Sequence, residues 1–197
     1  MIDADPNKPV SQWAKRPGKP ATLTVLANVT EDTIIDAIEA AATESAFVIV
    51  DLEGTASMMV GYVISRADLV IIPTQGSQLD AAEAVKAIKL VRRQERAFSK
   101  SISLAVLFTR TSAAIRPRTL QSIEAELSAN KVPMFGTQIH ERDAYRAIFS
   151  FGGTLSSLDP SQASNIKAAA ANARAFAVEV ITLLKAKVPA TAAVEVA

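Results

Sequence analysis

Four short stretches of this 197-residue chain place polar residues directly after apolar runs: Asp3-Ala4-Asp5-Pro6-Asn7, Asp51-Leu52-Glu53-Gly54, Pro73-Thr74-Gln75-Gly76 and Thr109-Arg110-Thr111. Ligands of open parallel α/β sheets bind outside the carboxyl ends of the strands, so these are the places where such a fold does its chemistry. Asp51 closes the run Val48-Ile49-Val50 and offers the hard oxygen that a nucleotide-bound Mg2+ takes, often through water. An Asp in that position also caps helices and forms turns, and Asp51 by itself does not separate the two uses.

A different chemistry is suggested further along. Nine basic residues (Lys86, Lys89, Arg92, Arg93, Arg96, Lys100, Arg110, Arg116, Arg118) and one acidic residue, Glu95, lie between positions 86 and 118. On the helical pattern Asp80–Arg96, the residues Lys86, Lys89, Arg93 and Arg96 recur at three- and four-residue spacing and share one face. Ala84, Ile88 and Val91 fall on the other side. A cationic face without base-reading side chains suits sequence-independent contact with DNA phosphates, and a solvated outer face has the same pattern.

Composition narrows the classes. Lys+Arg number 21 and Asp+Glu 20, which excludes a polybasic protein of the histone kind. The chain has no Cys, hence no disulfide framework and no thiolate site, and its single His rules out a multi-histidine metal centre. No apolar run reaches the roughly 18 residues of a membrane span, and the start lacks a signal-peptide pattern, so a cytoplasmic location is expected. With 49% hydrophobic residues the chain can bury one sizeable core.

The elements that must position these residues alternate. Strands are expected at Leu23–Ala27, Phe47–Leu52, Leu69–Pro73 and Ile102–Thr109, with a weaker one at Met134–Ile139. The three runs between Phe47 and Thr109 are almost continuously apolar, as strands buried on both faces are. Helical patterns cover Glu31–Thr43, Met58–Ser65, Asp80–Arg96, Pro117–Ala129, Glu141–Phe149 and an Ala-rich stretch from Ser164 to Lys187. Asp80 with Glu83 resembles a capping box, and Pro117 suits a first helical turn. This order predicts a mainly parallel, doubly wound α/β sheet with helices on both faces, spanning residues 1–187, and a flexible tail over 188–197. Trp13 falls in a loop, Ser11–Pro20, where it packs beneath the loop or meets a ligand or partner; Met58-Met59 is expected to face the core.

The combination IDADPNKP, FVIVDLEG, ADLVIIPTQGSQLDAAEAVKAI and VLFTRT, in that order, resembles the ParA/MinD family of deviant-Walker ATPases. The later segment V-P-M-F-G-T-Q-I, then H-E-R-D-A-Y and Gly152-Gly153, is similar to that family's strand and I-x-x-R-x-A stretch beside the adenine, closest to ParA-like proteins of conjugative and tumour-inducing plasmids. The resemblance runs from about Met1 to Leu184. It implies a P-loop-type fold, ATP with Mg2+, a homodimer, non-specific DNA binding with nucleoid association, and a ParB-like or relaxosome protein partner. It implies that Asp5 orients the attacking water, that Asp3 is the strand-end Asp before it, and that Asp51 is the Walker B residue holding Mg2+. Thr109 and Arg110 match a base-contacting Asn-Arg pair, with Thr departing from Asn, and Gln138, Ile139 and His140 would lie along the adenine or ribose. His140 after a strand also suits a cap or surface role. Leu52-Glu53-Gly54 departs from the family's Thr-Pro-Pro.

The largest departure is the phosphate loop. None of the seven glycines (Gly18, Gly54, Gly61, Gly76, Gly136, Gly152, Gly153) stands in a Gly-Lys-Ser/Thr context. That loop's amides cradle phosphates and its hydroxyl binds Mg2+. The expectation is a chain lacking the first strand and P-loop of a longer ATPase, with a gap in its sheet and two unpaired edges. A non-enzymatic adaptor that keeps the dimer and partner surfaces is the alternative. A membrane-cycling, MinD-like role is not expected, because Ala190–Ala197 lacks an amphipathic Lys/Arg-and-Leu pattern.

Overall fold

The computed structural model describes residues 1–54 and 57–187. The expected flexible tail and the Ala190–Ala197 stretch lie outside the described residues. In chain order the elements are β1 (Ile2–Asp3), α1 (Pro9–Ala14), α2 (Ile34–Glu44), β2 (Val50–Asp51), α3 (Met58–Arg66), β3 (Leu69–Thr74), α4 (Gln78–Phe98), β4 (Ser103–Thr111), α5 (Arg118–Ala129), β5 (Ile139–His140), α6 (Asp143–Phe151) and α7 (Ile166–Lys187).

Strand β4 shows why its run is apolar throughout. Successive side chains of a strand point to opposite faces. Leu104, Val106 and Phe108 join Val60, Ile64, Val91, Leu120 and Ile123 in the largest core cluster, under α3, α4 and α5. Ala105 and Leu107 point the other way, to Phe135, Phe176 and Val180 under α7. Helices therefore cover both faces, and every strand pair is parallel, as the alternation predicted. β3 pairs with β4 from Leu69↔Ser103 to Thr74↔Phe108, and β5 lies on the other side of β4. Pro73 is tolerated because, among the described residues, β3 pairs with β4 alone, so a missing N–H breaks no second ladder.

The sheet comes in two pieces. β1 and β2 form a separate two-stranded sheet, extended by a single bridge from Ile2 to Leu26. Among the described residues no strand pairing joins it to β3-β4-β5. Two expected strands shrink for this reason. The Leu23–Ala27 strand is reduced to the Leu26 bridge, and Phe47–Leu52 to Val50–Asp51, with Phe47 and Ile49 each 58% exposed. A strand paired on one side with a two-residue partner has little ladder to extend it. Helix α3 spans both pieces, sending Val60 and Ile64 into the main cluster and Val63 into the cluster of Ile2, Ala4 and Ile34.

Local chemistry corrects four further expectations. The N-cap of α4 is Ser77, whose Oγ accepts from the Asp80 amide at 3.2 Å and donates to the Asp80 carboxylate, so Ser77 rather than Asp80 caps the helix, which opens at Gln78. Pro117 is itself the cap before Arg118. Trp13 lies in helix α1, opened by Pro9 at its first position, and Met58 is 62% exposed at the start of α3 while Met59 packs inward.

Candidate functional site

The carboxylates converge at the carboxyl ends of β1 and β2. Asp3 and Asp51 are register partners across the two parallel strands. After Asp3 the chain turns sharply: the Asp5 carboxylate accepts from the Asn7 amide at 2.7 Å, and the Asp5 carbonyl accepts from the Lys8 amide at 3.0 Å. Lys8 takes a left-handed conformation (φ 51°) and α1 begins at once. Ser11 on α1 then donates twice to Asp3 Oδ2, from its amide at 2.7 Å and its hydroxyl at 2.5 Å, and Lys8 Nζ donates to the Asp3 carbonyl at 3.0 Å. Asp3 is fully buried, and its Oδ1 has no hydrogen-bond partner. Burial, then the charges of Asp3 and Asp5, push the Asp51 carboxyl above the usual range for Asp. Asp3, Asp5 and Asp51 are thus one electrostatic group, with Asp3 also anchoring α1.

The second group sits at the ends of β4 and β5. The Thr109 hydroxyl donates to the Thr74 carbonyl at 3.1 Å, which ties it to β3. The register then slips, Thr109 facing Ile139 and Thr111 facing His140, so Arg110 is a bulge residue with φ 52° and its side chain is exposed. Thr111 Oγ1 and His140 Nδ1 are 3.0 Å apart. Gln138 Nε2 donates to Glu124 at 2.7 Å, and Arg116 pairs with the same carboxylate. These two side chains and Phe108 and Met134 border an open groove of about 610 Å3. Ile139 packs into the cluster beneath α7.

Three residues that hold this end in place were not singled out in the sequence. Asn172, Phe176 and Glu179 recur at four- and three-residue spacing on one face of α7. Glu179 accepts from the Gly136 amide at 2.6 Å and the Thr137 amide at 2.8 Å. Phe176 meets Phe135 edge to face, ring centres 5.0 Å apart. Asn172 donates to the Gln138 carbonyl at 2.8 Å and accepts from the His140 amide at 3.0 Å. Burial works to raise the Glu179 pKa, but the Gly136 and Thr137 donors outweigh it and leave the pKa below the usual Glu range. The signal was there: Asn172, Phe176 and Glu179, an amide, an aromatic and a carboxylate at i, i+4 and i+7, share one face of a helix otherwise rich in Ala.

The basic face is real as a surface but stands apart from these groups. Lys86, Lys89, Arg93 and Arg96 are all exposed, and Ala84 and Val91 are buried behind them. Lys86 pairs with Glu83 at 2.7 Å, whereas Lys89, Arg93 and Arg96 have no ion pair among the described residues. α4 starts at the end of β3, so at 1.5 Å per residue these charges lie roughly 12–27 Å down the helix from the strand ends.

Parallel strands covered by helices on both faces, with carboxylates at the strand ends, define a doubly wound α/β fold. Among the solved structures that share it is apo McdA of Cyanothece (TM-score 0.65, 15% identity, 85% of this chain and 85% of that one). Another is a McdA variant from Cyanothece in complex with ATP (TM-score 0.63, 14% identity, 88% of this chain and 84% of that one). The family follows from the sequence comparison. Residues 1–192 match the VirC1 protein family, and the chain belongs to it. It is 41% identical over 184 residues to Protein ParA of Rhizobium radiobacter, covering 93% of this chain and 82% of that protein. It is 26% identical over 153 residues to Protein virC1 of Rhizobium rhizogenes, covering 75% of this chain and 65% of that protein.

Proposed function

We propose that this chain serves as a ParA-like ATPase of plasmid partition or of conjugative or T-DNA transfer. In this reading it dimerises with ATP, binds DNA non-specifically through Lys86, Lys89, Arg93 and Arg96, and is released by a ParB-like or relaxosome partner, in the cytoplasm at the nucleoid. The observation that carries it is the convergence of Asp3, Asp5 and Asp51 at the carboxyl ends of two parallel strands, in a chain of the VirC1 family.

The donor set suits Mg2+, which is usually held by one or two carboxylates, water and the ligand's phosphates. Asp51 would hold the ion through water, and the ion would supply charge neutralisation at the phosphates. Asp5, on the exposed turn beyond β1, would orient the attacking water. Asp3 is buried and committed to Ser11, so its part is to fix the turn that carries Asp5. Thr109, Arg110, Gln138 and His140 would line the base side, with Gln138 and His140 acting through side chains, since the Gln138 carbonyl and the His140 amide are engaged by Asn172. Ile139 would contribute packing beneath that side.

Calorimetry of ATP·Mg2+ binding beside a phosphate-release assay tests this. The 197 residues alone contain no Gly-Lys-Ser/Thr loop, so they should bind ATP weakly and show no hydrolysis. A version preceded by a strand, phosphate loop and helix should do both; in it Asp5→Ala should abolish hydrolysis and spare binding, and Asp51→Ala should weaken the Mg2+-dependent part. Hydrolysis by the 197-residue chain at the rate of the longer one would refute the argument. The missing loop context favours a second reading, an adaptor that keeps the dimer and partner surfaces without catalysis. Loop addition that restored neither binding nor hydrolysis would support it.

A further inference from the structure

The two sheets share no strand pairing among the described residues, yet they are held side by side. Helix α3 packs into the cores of both, and Leu52 beside it touches both clusters. A further link is a strap. Beyond α1 the chain runs through Lys15, Arg16, Pro17 and Gly18 and lies across the far end of α6. Trp13 Nε1 donates to the Gly153 carbonyl at 2.9 Å, and Arg16 Nη1 donates to the Ser150 carbonyl at 2.9 Å. Carbonyls at a helix C-terminus have no partner within the helix and favour a cation, so this is a natural seat for Arg16.

Both sides of the seat are shaped by glycine. Gly152 has φ 85°, and a Cβ there would stand 2.4 Å from the Pro17 carbonyl oxygen and 2.8 Å from Arg16 Cβ. A Cβ on Gly18, with φ 86°, would come within 3.0 Å of Gly153 Cα. Backbone meets backbone here, and no other residue type fits without moving the strap. The helices joined are informative. α1 begins just after the Asp5–Lys8 turn and its Ser11 holds Asp3, whereas α6 begins just after His140. The strap therefore ties the far ends of two helices whose near ends carry the two candidate groups.

We infer that the Trp13–Gly153 contact is a clasp that closes the seam between the two sheets, with α3 as the hinge. Opening it lets the Asp3, Asp5 and Asp51 group and the Thr109 and His140 group move apart as two bodies. The clasp is a property of these 197 residues, whose two sheets share no strand pairing among the described residues; a strand preceding them, as the ATPase reading requires, would fill the gap between the sheets.

Hydrogen-exchange mass spectrometry on the full 197-residue chain tests it, with Trp13→Phe, Arg16→Gln and Gly152→Ala. Trp13→Phe keeps an aromatic ring and removes the donor. Residues 3–11 and 139–146 should then exchange faster together, by roughly fivefold for one neutral hydrogen bond lost, while β4 keeps its protection. Arg16→Gln should affect the same two segments, and Gly152→Ala should affect them most. Trp13 is the sole tryptophan, so acrylamide quenching in Arg16→Gln and Gly152→Ala should rise in step with exchange. Faster exchange confined to residues 13–18 and 150–154, or spread equally into β4, would overturn the clasp. If Gly152→Ala does not fold, Arg16→Gln still decides, because that side chain is on the surface.

Discussion

Removing Glu179 is the most direct test of how the chain leading into β5 is held. Its carboxylate accepts two consecutive amides, Gly136 at 2.6 Å and Thr137 at 2.8 Å, across a sequence gap of more than forty residues. Hydrogen bonds to a charged group contribute about 1.5–3 kcal/mol each, and the lower end applies because Gly136 is exposed and water can reach its freed amide. Glu179→Ala should therefore cost about 2–3 kcal/mol. For a chain of this size that lowers Tm by roughly 5–10 °C. Glu179→Gln should recover about half, since its single oxygen serves one amide while its NH2 group opposes the other. The pH dependence has a definite sign. The folded-state pKa of Glu179 lies below the ordinary Glu value, so its stabilisation is present above that value and lost as pH falls through the lowered one. Urea titrations of wild type and Glu179→Ala should accordingly converge only at acid pH. A difference under about 0.5 kcal/mol at neutral pH, or one that persists undiminished in acid, would refute the reasoning.

Ser11→Ala should cost about 2 kcal/mol in urea titration, because it takes a charge-assisted bond from the fully buried Asp3; a neutral result would mean that water replaces the hydroxyl there. Asp51→Asn should stabilise the chain at neutral pH, since the folded-state pKa of Asp51 is raised and its charged form is disfavoured by folding. That gain should shrink as pH falls through the raised folded-state pKa and vanish below the ordinary Asp value; thermal melts in which it persisted undiminished in acid would contradict this. Reversing Lys89 and Arg93 together should weaken DNA binding equally for all sequences and flatten the salt dependence by roughly 0.9 per lost contact; an unchanged salt titration would reduce α4 to a solvated face.

Periodicity carried much of the architecture. The unbroken apolar run in β4 required partners on both faces, because alternate side chains must all be buried, and α4 with α5 on one side and α7 on the other supply them. The segment order and the D-x-D-P and strand-end Asp spacings pointed to the family, since those residues lie at strand ends wherever the fold places its strands. Tertiary structure alone decided the rest. The lengths of β1 and β2 depend on what pairs with their edges, which the apolar content of Phe47–Leu52 does not encode. The partners of Asp3 and Gly136 are side chains eight and forty-three residues away, and Trp13 finds the Gly153 carbonyl at a separation of 140. Side-chain bonds to distant backbone groups repeat with no period. They are set by which loops the packed helices bring together, and that is where the candidate site is assembled.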